Sequence, residues 1–297
     1  MPDADLLAER FEAHRGHLRA VAYRMLGSLA EAEDTVQDAW LRVARADPAA
    51  VENLGGWLTT IVARLALDRL RSRAAHREEP LGVHVPEPIV DRPDNVDPEH
   101  EAILADSVGL AMLVVLETLT PAERLAFVLH DTFGLPFDEI APIVERSPTA
   151  TRQLASRARR RVRGSAAPSN VPRVRQWEII DAFLAAARNG DFDSLLRILD
   201  PNVVARADAG AGTSLIGRSR EVRGAQAVAK QALGFARLAP GARRAMVNGA
   251  PGFVVYDGPQ PFAILGFTFR DDSIAAIDIL TDQERLARVD LSGMEQT

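Results

Sequence analysis

Through the first seventy-five residues, apolar side chains return every three or four positions, the interval that gives a helix one buried face. Ser28-Leu29-Ala30-Glu31 has the form of a capping box: a Ser hydroxyl for the first-turn amides, and a Glu three positions on that can return to the Ser amide. Leu29, Ala32, Val36, Trp40 and Val43 follow at core spacing, while Glu33, Asp34, Gln37 and Asp38 fall on the other face. After Gly55-Gly56 another helix is expected, with Leu58, Ile61, Val62 and Leu65 inward and Thr60, Arg64, Asp68, Arg71 and Arg73 as an outer stripe.

Residues 120–163 predict three helices in succession. Thr120-Pro121-Ala122-Glu123 is a second capping box with Pro at the first helical position, and its helix runs inward through Leu125, Val128 and Leu129 to Gly134. Pro136 opens a short helix with Phe137, Ile140, Ala141 and Val144 inward; after the turn Glu145-Arg146, Ser147 and Pro148 start a third that ends in Arg157, Arg159, Arg160, Arg161 and Arg163. Two short helices, a tight turn and a basic third helix make a helix-turn-helix, with DNA as the leading partner. Thr149, Arg152, Gln153, Ser156 and Arg157 lie where such a helix meets base edges, Arg suiting guanine and Gln adenine, and the arginines from 159 to 163, Arg160 among them, suit phosphates.

Two stretches break the helical pattern. Residues 76–100 carry Pro80, Pro86, Pro88, Pro93 and Pro98 together with six acidic residues from Glu78 to Asp97, and read as a partly extended linker. A second linker is expected over 164–172. Beyond it, Trp177, Ile180, Phe183 and Leu184 mark an amphipathic helix closed at Asn189-Gly190, and a second helix is expected over 192–199. Strand-like runs follow at 202–207, 244–247, 252–256, 261–270 and 273–280, interrupted by a helix near 222–236, with turns at Asp257-Gly258 and Asp271-Asp272. Helices followed by a meander predict an α+β cone with a curved antiparallel sheet. The expected divisions are therefore 1–75, 76–100, 101–163, 164–172 and 173–297, without internal repeats.

Charge changes the picture of DNA binding. The net charge of −6 over 297 residues does not suit a freestanding duplex binder, so a partner is expected to supply much of the phosphate contact. The absence of Cys excludes disulfides, Fe–S clusters and thiolate-ligated zinc, and the six His lack metal-ligand spacing, so no metal and no cofactor is expected. With no signal-peptide pattern and no apolar run of membrane-spanning length, a cytoplasmic protein is expected.

Three segments together, AYRMLGSLAEAEDTVQDAWLRV (22–43), GGWLTTIVARLALDRLRSR (55–73) and residues 120–163, resemble the extracytoplasmic-function (ECF) sigma factors of bacterial RNA polymerase, over roughly the first half of the chain. The resemblance implies that Asp34, Gln37, Asp38 and Trp40 dock on the β′ clamp helices of core polymerase, with the β subunit as a further partner. It implies that Thr60, Arg64, Arg71 and Arg73 handle the melted upstream-ten promoter element, with the loop 47–56 holding an unstacked base. The acidic linker would thread toward the polymerase active-site channel. Taken singly, these features have plainer readings: a solvated acidic helix face with Trp40 in the core, and a soluble basic helix.

From Arg173 onward the chain resembles the SnoaL-like branch of the nuclear-transport-factor-like cone, and one group of these sigma factors joins the same two parts. Pro86-Glu87-Pro88 keeps the end of that group's W-L-P-E-P-like motif, Asp208-Ala209-Gly210-Ala211 matches part of its D-G-G-G-like motif, and residues 247–252, with Asn248 and Gly249, fit well. Asp282-Gln283-Glu284-Arg285-Leu286 departs from its N-P-D-K-like motif. The resemblance implies an intramolecular regulatory contact between the cone and the sigma domains through Pro86, Glu87, Pro88, Asp208, Gly210, Asn248 and Gly249.

The expected fold is a multidomain chain of two all-α sigma domains, the second a helix-turn-helix domain, followed by an α+β SnoaL-like cone. The expected function is promoter recognition and transcription initiation with core polymerase, without covalent chemistry by the chain itself. Two alternatives stay open at this point: a ligand-responsive helix-turn-helix repressor, and a SnoaL-like enzyme using Asp208 or Asp278, which the absence of His beyond His130 disfavours.

Overall fold

In the computed structural model, residues 2–45, 53–76, 83–104, 109–163, 171–210, 219–235 and 240–294 are described. The chain gathers into two compact units, one of Met1–Glu79, Pro98–Asp106 and Val115–Ser165, the other of Pro80–Asp97, Ser107–Val114 and Ala166–Thr297. The Pro-rich stretch expected as a linker thus belongs largely to the second unit, and the two helical segments expected as separate domains share the first.

The helical elements of the first half are α1 (Pro2–Leu26), α2 (Leu29–Val43), α3 (Leu54–His76), α4 (Pro98–Leu104), α5 (Leu110–Glu117), α6 (Pro121–Phe127), α7 (Phe137–Val144) and α8 (Pro148–Arg163). At Ser28 only half of the expected capping box forms. Its hydroxyl accepts from Glu31 N at 3.4 Å, but the Glu31 carboxylate pairs with Arg73 instead of returning to the Ser amide. At Thr120 both halves form, Thr120 Oγ1 accepting from Glu123 N at 3.3 Å and Glu123 Oε2 accepting from Thr120 N at 3.2 Å. α6 widens into a π-helical turn over Val128–Thr132, and Glu145 closes α7 in the left-handed region at φ +57°.

The helical unit has a polar seam inside its apolar core. Arg124 is 2 % exposed; its Nε donates to the Arg24 carbonyl at 3.1 Å and its Nη1 to Glu117 at 2.6 Å. The Arg24 guanidinium lies 4.6 Å from the centre of the Phe133 ring, which His17 meets edge-on at 5.0 Å. A planar, permanently charged guanidinium suits this place, because it spreads several donors over carboxylate and carbonyl acceptors at once.

The second unit contains β1 (Val90–Asp91), α9 (Arg173–Asn189), α10 (Phe192–Ile198), β2 (Leu199–Asp208), β3 (Arg220–Arg223), α11 (Ala225–Gly234), β4 (Ala242–Val247), β5 (Ala250–Asp257), β6 (Gln260–Arg270), β7 (Ser273–Leu280) and α12 (Gln283–Leu286). The strands form a seven-stranded open sheet in the order β1-β4-β5-β6-β7-β2-β3. Pairing is antiparallel except for β2 with β7, which corrects the expected all-antiparallel sheet. A parallel pair needs a long connection, and here β3 to β6 supply it. The helix expected near 222–236 is shorter, because Arg220–Arg223 pairs with β2 as an edge strand.

Both faces of the sheet are apolar. Phe253, Phe267 and Ile277 meet Ile180 and Phe183 of α9, Leu195 of α10 and Val228 of α11. On the other face Val247, Val254, Ile264 and Leu280 are covered by Val85, Leu110, Leu286 and Met294. The unbroken apolar run in β5, where Phe253 and Val254 face opposite sides, already requires cover on both. Leu110 approaches so closely that a Cβ at Gly266 would lie 2.7 Å from its Cδ2.

Replacing Arg124 by Met should destabilise the helical unit by roughly 3 kcal/mol, because the buried ion pair with Glu117 and the hydrogen bond to the Arg24 carbonyl are both lost. Urea unfolding followed by a signal from Trp40 or Trp57 measures this; a change under 1 kcal/mol would show that the polar seam does not hold the unit together.

Candidate functional site

The outward face of α2 carries Asp34 and Gln37, both exposed, and Leu41, which is 50 % exposed. These three positions fall on one stripe at helical spacing. Asp38 lies beside the stripe but accepts from Arg69 Nη2 at 2.6 Å, and Trp40 is half-buried with its ring 5.1 Å from that of Phe11. Of the four residues expected to dock, two are therefore solvent-facing, one is engaged in an ion pair and one is anchored in the helix packing. Leu41 escaped the sequence reading because an apolar residue beside Trp40 and Val43 looks like core.

On α3, Arg64 and Arg71 are exposed and Thr60 donates to the Gly56 carbonyl at 2.9 Å. Arg73 turns back, donating to the Leu26 carbonyl at 3.3 Å and pairing with Glu31, so it fastens the α1–α2 corner. Of the expected base-holding loop 47–56, the part before Asn53 lies outside the described residues; Asn53 Oδ1 accepts from Gly56 N at 3.0 Å and caps α3.

On α8, Ala155, Ala158 and Val162 are buried, and Thr149, Gln153, Ser156 and Arg160 form one exposed stripe. Arg152 stacks over the Phe137 ring at 5.2 Å. Arg157 Nε donates to Glu123 Oε1 at 2.8 Å and Arg159 Nε to Asp131 at 2.6 Å. Burial alone would raise the Glu123 carboxyl, but donors from Arg157 and Thr120 outweigh it and hold it below the usual carboxylate range. The same carboxylate therefore caps α6 and positions an arginine of α8.

The remaining expected residues meet in the second unit. Asp208, 3 % exposed at the end of β2, accepts from Val85 N at 2.9 Å and from Arg285 Nη1 at 2.6 Å, and the His84 Nδ1 lies 3.3 Å away. Arg285 also donates to the Val85 carbonyl and reaches Glu87 at 3.5 Å. Asn248, at φ +48°, closes a reciprocal pair: its Oδ1 accepts from Ile89 N at 3.1 Å, and its N donates to the Ile89 carbonyl at 2.8 Å. With Val90 and Asp91 paired to β4, residues 85–91 are bound to the sheet by backbone at three places, and Pro86, Glu87 and Pro88 are buried between them. Gly249, at φ +74°, completes the Asn248 turn. Gly210, at φ +65°, faces the Asp282 carboxylate so closely that any Cβ would collide with it.

Arg285 and His84 were not among the expected site residues. The stretch 282–286 differs in letters from the N-P-D-K-like pattern, yet it keeps a helix-capping residue and a base. Asp282 Oδ1 accepts from Glu284 N at 3.0 Å and caps α12, which carries Arg285 to Asp208. Residue type, rather than identity, was the signal. Among the described residues no group of His, Asp and Glu could hold a metal ion, and no helix is long and apolar enough to cross a membrane.

Burial alone would push the Asp208 carboxyl up, but hydrogen bonds from His84, Gly210 and Val85 and the charge of Arg285 hold it well below the usual range. A depressed carboxylate contributes stability that is present above its unfolded pKa, about 3.9, and is lost as pH falls toward the folded value. Exchange protection of the Val85 and Ile89 amides should thus be flat from about pH 8 to 5 and erode only below about pH 4. Asp208→Asn should leave Arg285 with only the more distant Glu87 as counter-charge, weakening the joint by about 2 kcal/mol and speeding exchange at Val85 roughly thirtyfold at neutral pH. Unchanged exchange would mean that apolar packing alone holds the segment.

Residues 10–76 match the family model for sigma-70 region 2, and residues 110–162 that for sigma-70 region 4. The ECF RNA polymerase sigma factor SigJ of Mycobacterium tuberculosis strain H37Rv is 40% identical over 281 residues, covering 90% of this chain and 89% of that protein. The probable ECF RNA polymerase sigma factor SigI of the same organism is 38% identical over 220 residues, covering 74% of this chain and 76% of its own. The crystal structure of M. tuberculosis SigJ matches with a TM-score of 0.77 at 34% identity, over 96% of this chain and 99% of that one. This likeness spans the helical segments and the helix-and-sheet part together, which neither the repressor nor the cone-enzyme alternative explains. A region 2 and a region 4 in order, continued by a second unit shared with a sigma factor along nearly its whole length, place the chain in the family of ECF sigma factors of RNA polymerase.

Proposed function

We propose that this sigma factor engages core polymerase through the α2 stripe of Asp34, Gln37 and Leu41, with Asp38 and Trp40 at its margin, and that its C-terminal unit controls this activity through the linker. Carboxylates beside one exposed leucine suit a basic, partly apolar partner surface. Thr149, Gln153 and Ser156, flanked by Arg152 and Arg157, are the base-reading positions of α8, and Arg160 serves phosphates. Thr60, Arg64 and Arg71 of α3 meet the melted element, while Arg73 is structural.

The observation that carries the regulatory reading is the capture of residues 85–91 by Asp208, Asn248, Arg285 and β4. These residues lie on the only stretch joining the region 2 segment to the region 4 segment. A sigma factor that reads two separated promoter elements needs reach between its two DNA-contacting parts. Fifteen residues, 83–97, released to full extension would add up to about 50 Å. Capture of residues 85–91 on the sheet removes that freedom, so the joint limits how far the two segments can separate, and polymerase binding and linker release compete or cooperate through that one equilibrium. The C-terminal unit thereby takes the place of a separate inhibitor protein.

Run-off transcription with purified core polymerase and a pool of promoter fragments tests the reading. Discrete transcripts should depend on this chain. Asp34→Arg with Leu41→Asp should weaken polymerase binding by about tenfold or more at an unchanged unfolding midpoint, whereas Gln153→Ala should relax promoter choice and spare polymerase binding. Asp208→Ala with Asn248→Ala, which frees the linker, should alter transcript yield severalfold; equal yield would refute linker control and leave the sigma activity standing.

A further inference from the structure

The face of the sheet under α9 and α11 is incompletely filled. A cavity of about 100 Å³, partly open to solvent, remains between those helices and the strands, walled by the rings of Phe183, Phe235, Phe253 and Phe262 together with aliphatic side chains. Two polar side chains, Gln231 of α11 and Thr281 after β7, reach this wall. The Thr281 hydroxyl is occupied, donating to the Asp208 carbonyl at 2.9 Å. The Gln231 Oε1 is buried and accepts from no group among the described residues. No ionisable side chain belongs to the wall.

Protein interiors close gaps of this size, or fill them with water when two to four polar partners are at hand. One free acceptor in a ring of phenylalanines does not hold a water well, and an unpartnered buried oxygen is unfavourable in its own right. Both defects are removed by the same kind of occupant: an apolar body that fills the space and one donor that meets Gln231. An apolar cavity of about 150 Å³ admits benzene, so a cavity of about 100 Å³ with an open side suits a molecule of roughly six to eight heavy atoms. A wall without a base or acid favours binding over turnover.

We propose that this cavity is a binding site for a small cyclic, mainly apolar molecule bearing one O–H or N–H group, which donates to Gln231. The site concerns the second unit alone and stands whether or not the linker regulates transcription.

Phenol and toluene make a matched pair, equal in size and differing in the donor. In titrations of the full chain followed by calorimetry and by amide chemical shifts, phenol should bind saturably in the millimolar range. Toluene should bind about fivefold or more weakly. Gln231→Leu should bring the two affinities together. Ala232→Phe, which fills the cavity, should abolish both while leaving the unfolding midpoint unchanged or raised; if that variant unfolds, Ala232→Leu should reduce both affinities by a smaller factor. No saturable phenol binding, equal affinities for phenol and toluene in the unaltered chain, or binding that neither cavity position alters would each overturn the assignment.

Discussion

The Asp208 carboxylate is the group around which the second unit is organised. The Val85 amide and the Arg285 guanidinium reach it from parts of the chain far apart in sequence, and the neighbouring Gly210 amide and the Ser219 hydroxyl also donate to it. Because it is buried, each donor acts in a medium where an unmet charge is very unfavourable, and none can leave without exposing the others to that penalty. The apolar demand of the sheet works in the same direction. Val247, Val254, Ile264 and Leu280 need cover; Val85 brings it from the stretch between the two sigma segments and Leu110 from the first residue of the second. Asp208 fixes the register of that cover; the apolar face makes some cover obligatory.

In the helical unit, ion pairs do two jobs. Glu123 closes the first turn of α6 and steadies Arg157, so the aim of this α8 arginine is tied to the start of another helix. Arg159 leans on Asp131 in the same manner. Such partly exposed pairs contribute little to stability. Their effect is positional: they keep long arginines ordered, and they can exchange carboxylate for phosphate at small net change because the donors are equally satisfied by either.

Much of this architecture was legible from local chemistry. Thr120 and Glu123 announced a helix start, the strand runs at 261–270 and 273–280 fell within a residue of β6 and β7, and Asp208, Asn248 and Pro86-Glu87-Pro88 were flagged as belonging together. What escaped is what depends on distant partners. Val90–Asp91 forms a strand only because β4 offers an edge, and Arg220–Arg223, which looks like the start of a helix, pairs because β2 needs a neighbour. Glu31 turns from the Ser28 amide to the oppositely charged Arg73, which lies within ion-pair reach. Leu41 went unremarked since periodicity tells which residues share a face, and not which apolar residue is left uncovered. Arg285 was obscured by a comparison of letters where the common property was a capped turn ending in a base.

The joint at Asp208 also sets an order of events during synthesis. Val85 finds its carbonyl partner Arg285 at a sequence separation of 200 residues. A ribosome adding about 5–20 residues per second needs on the order of ten seconds or more to cross that distance. During that interval the region 2 and region 4 segments have already emerged, each rich in local contacts that form quickly, while the sheet that captures the linker does not yet exist. A newly made chain therefore passes through a stage in which its region 2 and region 4 segments are complete and residues 85–91 are still uncaptured, and capture follows only when its last hundred residues have folded.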